Sequence, residues 1–287
     1  MNKVAILPMY VENEIEKQKD EMFRKHNLFE SFPNALLRED VLDLLDMFCT
    51  VVYYPLDNET NNGFHVTNIP FANGERKNFV YINTAQTMEK QVFTAAHELG
   101  HIWNIDSTVI SQLDLDDTPD IREMIINRFA ASLLIPKEIF VKSAKKAIDE
   151  FREEDGRIRI GHFLRSIVTL MNLFFVPMKS IVLRLFELEM IPMSTAELLL
   201  GYTKIPLNDL EQYINSLIAE LGYIKFQQAS RKKWISGLVE LLDAAEKSEM
   251  VQQRKIDRIR ELFDLKPSPS IITQINDVLP IPAQEEN

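Results

Sequence analysis

The sequence is short of cysteine, glycine and long apolar runs, and each shortage excludes something. One cysteine, Cys49, in 287 residues excludes an intramolecular disulfide framework and any zinc site built on several thiolates. It fits a reducing compartment, so a cytoplasmic location is expected. Eight glycines leave little linker material. No stretch reaches the ~18–20 apolar residues that a bilayer crossing needs, and the longest greasy run, residues 167–176, is interrupted by Asn172. Residues 1–8 are too short for a signal-peptide core. Basic residues are outnumbered, 32 Lys and Arg against 43 Asp and Glu, for a formal net charge of −11. That balance excludes broad non-specific nucleic-acid binding by the whole surface, though a local basic face stays open. A soluble, unexported protein with no membrane partner is expected; the sequence does not encode an oligomeric state.

Residues 11–31 are polar, with scattered apolar positions, and read as one or two helices on a surface. From Asn34 to Cys49, the apolar residues Leu37, Val41, Leu44, Leu45 and Phe48 recur at three- and four-residue steps, which predicts an amphipathic helix. Thr50 to Leu56 is β-branched and aromatic and reads as a strand. Asn73-Gly74 then signals a hairpin between two runs. The second run, Asn78 to Thr84, alternates as a half-buried strand should, and it could offer an edge to an extended substrate segment. A helix is expected from Met88 to Asn104, an acidic loop over 107–120, and a further helix from Pro119 to Ile135, stopped by Pro136. Beyond it the chain reads as helical to about Leu265, with a Pro-containing tail.

Residues 97–101 read HELGH. On a helix, His97 and His101 project from one face one turn apart, so both imidazoles can reach one ion. Glu98 can face the same cavity. Val92, Ala96, Leu99 and Trp103 form an apolar stripe, with Phe93, His97 and His101 beside it. Gly100 costs about 1 kcal/mol against Ala within a helix, which makes sense if another element packs closely there. A catalytic zinc wants three protein ligands and an open position. The third is a carboxylate: Glu123 on the next helix, with Asp106 and Asp120 of the intervening loop as rivals. Asn127, one turn beyond Glu123, is placed to hydrogen-bond a ligand imidazole.

Here a resemblance becomes specific. The segment FTAAHELGHIW followed by EMIINRFAASLLIP resembles the ImmA/IrrE family of zinc metallopeptidases. It is carried by Phe93, Thr94, Ala96, His97, Glu98, Leu99, Gly100 and His101, then by Glu123, Asn127, Phe129, Ala130, Leu133, Leu134 and Pro136. The one departure, Ile126 where the family usually has Ala, is a packing position. The resemblance covers residues 20 to 145 or so. It implies an α+β fold: a thermolysin-like zinc metallopeptidase core with a small sheet and an HExxH helix, followed by a mostly helical C-terminal half. It also implies Zn2+ held by His97, His101 and Glu123, with Glu98 as general base. The partner it implies is a helix-turn-helix repressor protein as substrate, whose cleavage relieves repression of a mobile element or stress regulon. The alternative is a metal-stabilised antirepressor or adaptor that grips a partner without cutting it. A second electrophile is not evident; Tyr81 is the candidate, against a plain packing role.

The expected organisation is an N-terminal arm over 1–20, the metallopeptidase domain over 21–145, a helix-turn-helix-like module over 146–200 and a helical region over 201–287. In the module, residues 174–191 resemble the second half of a helix-turn-helix unit. Direct DNA binding would need exposed bases on its second helix. Lys179 and Arg184 offer them and Glu187 and Glu189 oppose them, so packing or substrate recognition is the better reading. Further on, Trp234, Leu238, Leu241 and Leu242 form an apolar stripe beside Arg231-Lys232-Lys233, which reads as a solvated face.

Overall fold

The structure is a computed structural model that describes residues 6–33, 36–57, 61–70, 75–202, 209–248 and 251–265. The chain falls into two compact units, 1–232 and 233–287. The first opens with α1 (Met9–Lys25), α2 (Leu28–Ser31) and α3 (Asp40–Asp46), followed by strands β1 (Thr50–Tyr54), β2 (Gly63–Pro70) and β3 (Arg76–Asn83). Helices α4 (Met88–Ile102), α5 (Ile105–Leu113), α6 (Pro119–Leu134) and α7 (Lys137–Asp149) come next. Then come α8 (Ile160–Phe174), α9 (Met178–Glu187), α10 (Met193–Leu199), α11 (Leu210–Glu220) and a short 3-10 turn, Ile224–Gln227. The fold is α+β with a small sheet and many helices, as the sequence implies.

The strands of this unit lie in the order β2-β3-β1, with β1 parallel and β2 antiparallel to β3. β3 is therefore flanked on both sides, and the free edge belongs to β2 instead. The half-buried reading of β3 also fails at its C-terminal end. Val80, Tyr81, Ile82 and Asn83 are all buried, because a central strand is covered on both faces. The hairpin residues 73 and 74 and the tail from 266 lie outside the described residues.

α4 is the hub. It packs on β2 and β3, on α3, on α5 and, most extensively, on α6. Val92, Ala96 and Leu99 are fully buried and Trp103 nearly so. Trp103 meets Phe23, Phe48 and Phe129 edge-on, at centroid distances of 6.2, 5.2 and 5.8 Å, tying α1 and α6 to the C-terminal end of α4. α6 starts as its sequence dictates: Thr118 Oγ1 accepts from the Ile121 amide at 3.3 Å, and Pro119 takes the first helical position.

Two expectations change here. The helix expected from residue 34 spans only α3, because Arg38 is left-handed (φ 48°) and the Leu37 carbonyl closes a turn onto the Asp40 amide. Half of the acidic loop expected over 107–120 is instead α5, whose Ile105, Val109 and Ile110 are buried. α1 runs through residue 20 and packs on α5 and α6, and α7 runs through residue 145. α8 and α9 form the expected helix pair, bent by 105°. Among the described residues no single helix is long and apolar enough to cross a membrane.

The second unit holds β4 (Trp234–Ile235), α12 (Leu238–Ser248) and α13 (Gln253–Leu262). Leu238 and Leu242 are buried with Ile256, whereas Leu241 is exposed and leaves the expected stripe. Arg260 bridges α13 to Asp243 of α12 at 2.8 Å.

Candidate metal centre

His97 and His101 lie on α4 and Glu123 in the second turn of α6. His97 Nε2 is 3.5 Å from one Glu123 oxygen and His101 Nε2 is 3.7 Å from the other. One donor atom from each residue falls within 4.8 Å of the other two. Ligands ~2.0–2.2 Å from a tetrahedral ion stand roughly 3.3–3.6 Å apart. The donor set therefore fits three corners of such a site with little adjustment. Glu123 is half exposed, so solvent reaches this end of the cluster.

Two close approaches set this geometry. A Cβ on Gly100 would stand 2.8 Å from Phe129 Cδ1 and 3.1 Å from Ile126 Cδ1. Only a bare backbone lets α6 come near enough to deliver Glu123, and it is Phe129 and Ile126, rather than Ala130 and Ala131, that seat on it. On the other flank, a Cβ on Gly63 would stand 2.6 Å from both Thr94 Cγ2 and the Tyr81 carbonyl oxygen. β2 is thus pressed against α4, and the residue two further along the same face is His65.

His65 is the residue that the sequence reading missed. Its Nδ1 lies 2.7 Å from Glu98 Oε2, and its ring is 4.5 Å from that of His101. Three of the five histidines thus converge here. The Glu98 hydrogen bond raises the His65 pKa against the opposing effect of burial. Burial lowers that of His101, helped by His97 and His65, which favours the neutral, ligating form. Asn127 Oδ1 stands 3.2 Å from His97 Nδ1. With Nδ1 donating to the amide oxygen, the lone pair of Nε2 faces Glu123.

The other candidates are placed elsewhere. Asp106 is buried and accepts from Arg122 Nη1 at 2.7 Å, and Arg122 also grips both oxygens of Asp117. Asp120 is exposed and outside the cluster. Tyr81 pairs with Phe64 across the strands, on the sheet face opposite His65, and its hydroxyl donates to the Tyr54 carbonyl at 2.8 Å. Strand alternation thus directs Tyr81 away from α4 and gives the position beside Glu98 to His65. Burial, then Asp46 and Glu98, push the Cys49 thiol up to about 12, leaving it protonated at neutral pH.

Residues 46–186 match the IrrE N-terminal-like domain, a peptidase family, and that span holds all six residues of the cluster and its supports. No curated protein matches the chain. Among solved structures, a Mycobacterium tuberculosis transcriptional regulator is 16% identical over 61% of this chain, with a TM-score of 0.39. The matched region spans about half of that protein (50%).

Proposed function

We propose, from the match of residues 46–186 to the IrrE N-terminal-like domain, a peptidase family, that the chain is a zinc-dependent endopeptidase that cleaves a helix-turn-helix repressor-type protein. The observation that carries the catalytic part is the convergence of His97, His101 and Glu123 within 4.8 Å beside a buried Glu98. The substrate class rests on the ImmA/IrrE resemblance alone.

His97, His101 and Glu123 would hold the ion, and zinc there would supply Lewis acidity to the scissile carbonyl and lower the pKa of water toward ~7. The chain's own residues do the rest. Glu98 takes the proton of the attacking water and hands it to the leaving amine. His65 fixes the Glu98 carboxylate through Nδ1, and Asn127 fixes the His97 ring. β2, the free sheet edge beside the site, pairs with an extended substrate segment through its backbone.

Glu98→Gln keeps the side-chain shape and removes the base. Metal content and thermal stability should hold, while cleavage of the cognate repressor falls by ~10²–10⁴-fold. His97→Ala should lose the metal as well. If Glu98→Gln still relieves repression in cells while His97→Ala does not, the metal is structural and the chain grips its partner without cutting it.

A further inference from the structure

α4 and α6 run antiparallel past the donor cluster, and a cavity occupies the next turn of the groove between them. Backward along α4, at steps of four, lie His101, His97 and Phe93; forward along α6 lie Glu123, Asn127 and Ala131. Each set shares one helix face. His101 faces Glu123 and His97 faces Asn127, while Phe93, Asn127 and Ala131 line the cavity. Its volume is about 330 Å³, at the low end of the range for small-ligand sites, which suits one large side chain better than a whole ligand.

Position and lining together narrow the occupant. The cavity begins one helical turn, ~5.4 Å, from the donor cluster. An extended chain advances ~3.3 Å per residue. A peptide with its scissile bond at the cluster therefore carries a residue next to that bond, or one removed from it, to the cavity. Phe93, Met124, Leu183 and Phe186 form an apolar wall, and each is only half-buried. Arg128 and Arg184 also border the space, but they are 6% and 1% exposed, and Glu12 and Glu187 meet their charge. Lys179 is exposed to solvent. A carboxylate entering the cavity would give up its water with no free guanidinium to replace it. An apolar side chain would instead remove its own surface and that of the wall from water.

We infer that this cavity selects the substrate: it takes a large apolar side chain, Leu, Met or Phe, from a residue beside the cleaved bond and seats it against Phe93, Met124, Leu183 and Phe186. The inference rests on the peptidase reading and adds sequence selection to it. Pairing with the β2 edge engages a substrate backbone whatever its sequence, whereas the cavity reads a side chain.

The test uses the purified full chain loaded with zinc and four hydroxamates that share one metal-binding head: acetohydroxamate, isocaproyl hydroxamate, hydrocinnamoyl hydroxamate and succinyl monohydroxamate. Calorimetric titration gives the affinity of each. The two apolar tails should bind about tenfold or more tighter than acetohydroxamate. The succinyl tail, which ends in a carboxylate, should gain about threefold at most. Leu183→Trp fills the cavity and should reduce the advantage of the apolar tails to about twofold or less, with the affinity for acetohydroxamate held. Leu183→Ala takes away part of the wall and should reduce that advantage about threefold or more. Circular dichroism establishes folding; if one variant misfolds the other decides, and the comparison of probes on the parent needs neither. The inference is overturned if the apolar tails add nothing, if the succinyl tail gains as much as they do, or if the folded variants keep the parental advantage. If acetohydroxamate itself does not bind the zinc-loaded chain, the metal centre and the peptidase reading fail, and the inference falls with them. If acetohydroxamate binds and the apolar tails add nothing, the inference fails alone.

Discussion

At the scale of single residues, Glu98, the base of the proposed function, depends on a neighbour 33 positions earlier in the chain. A buried carboxylate with no partner would choose its own rotamer, and His65 Nδ1 at 2.7 Å removes that freedom. His65→Phe keeps the ring volume and deletes the nitrogen. Metal content should stay at the parental level and KM should change little, while kcat falls about 10–100-fold. His65→Asn, whose amide can donate to the same oxygen, should recover part of the loss. The measurement is steady-state cleavage of the cognate repressor alongside metal analysis. Metal loss in proportion to activity would mean that His65 supports His101 rather than Glu98.

At the scale of elements, the contact of α4 with α6 decides whether there is a site at all. Gly100→Ala tests it, because two effects oppose each other. Alanine favours the helix by about 1 kcal/mol. The added methyl meets Phe129 and Ile126, both fully buried, and overpacking of that kind costs about 1–3 kcal/mol. The expected balance is a net loss of about 1 kcal/mol in urea unfolding, with weaker metal binding as Glu123 is pushed outward. A gain in stability would show that α6 can give way freely. α1 is held to the same helix by a polar contact with its own pH signature. Glu16 accepts from Ser132 Oγ at 2.6 Å and pairs with Lys19. Burial works to raise the Glu16 pKa, but Lys19, Ser132 and Arg128 together outweigh it and bring it below the ordinary carboxylate value. A depressed folded pKa means stability that is present above the unfolded pKa and lost as pH falls through the folded one. Glu16→Gln should therefore lower the urea midpoint at pH 7 and lose less stability than the parent on acidification below about pH 4.5. These element contacts also show what was legible beforehand. The motif helix, its neighbour and the tight Gly100 contact were readable, because HELGH and the apolar stripe have helical spacing within single elements. α5 was not, because its buried run of Ile105, Val109 and Ile110 is short and aspartates surround it. Nor was His65, whose position depends on the β2–β3 register, a pairing with an irregularity between Val66 and Ile69 that no local pattern encodes.

At the scale of the whole molecule, charge and burial separate a protein-directed role from a DNA-directed one. The α8–α9 bend of 105° lies within the ~90–120° of helix-turn-helix pairs, so geometry alone would allow a DNA-binding reading. The side chains oppose it. Ser180, Ile181, Val182, Arg184 and Leu185 of α9 are buried, so this ten-residue helix has little free face to lay in a major groove. Arg184, expected as an exposed base, is instead paired inside the protein with Glu187, because α9 turns that face toward α6. Lys179 is left as its exposed cation, with Glu189 exposed beyond the helix end. One phosphate contact gives a salt slope of about −1, against the 6–10 contacts of a typical specific complex, and the net charge of −11 repels the duplex at long range. In mobility-shift assays at moderate salt, the chain should give no sequence-specific complex with the operator of its cognate repressor. On the proposed function, the repressor's own complex should disappear on incubation with the chain. A specific complex of this chain alone, lost on Lys179→Ala, would reverse the assignment and make α9 a recognition helix.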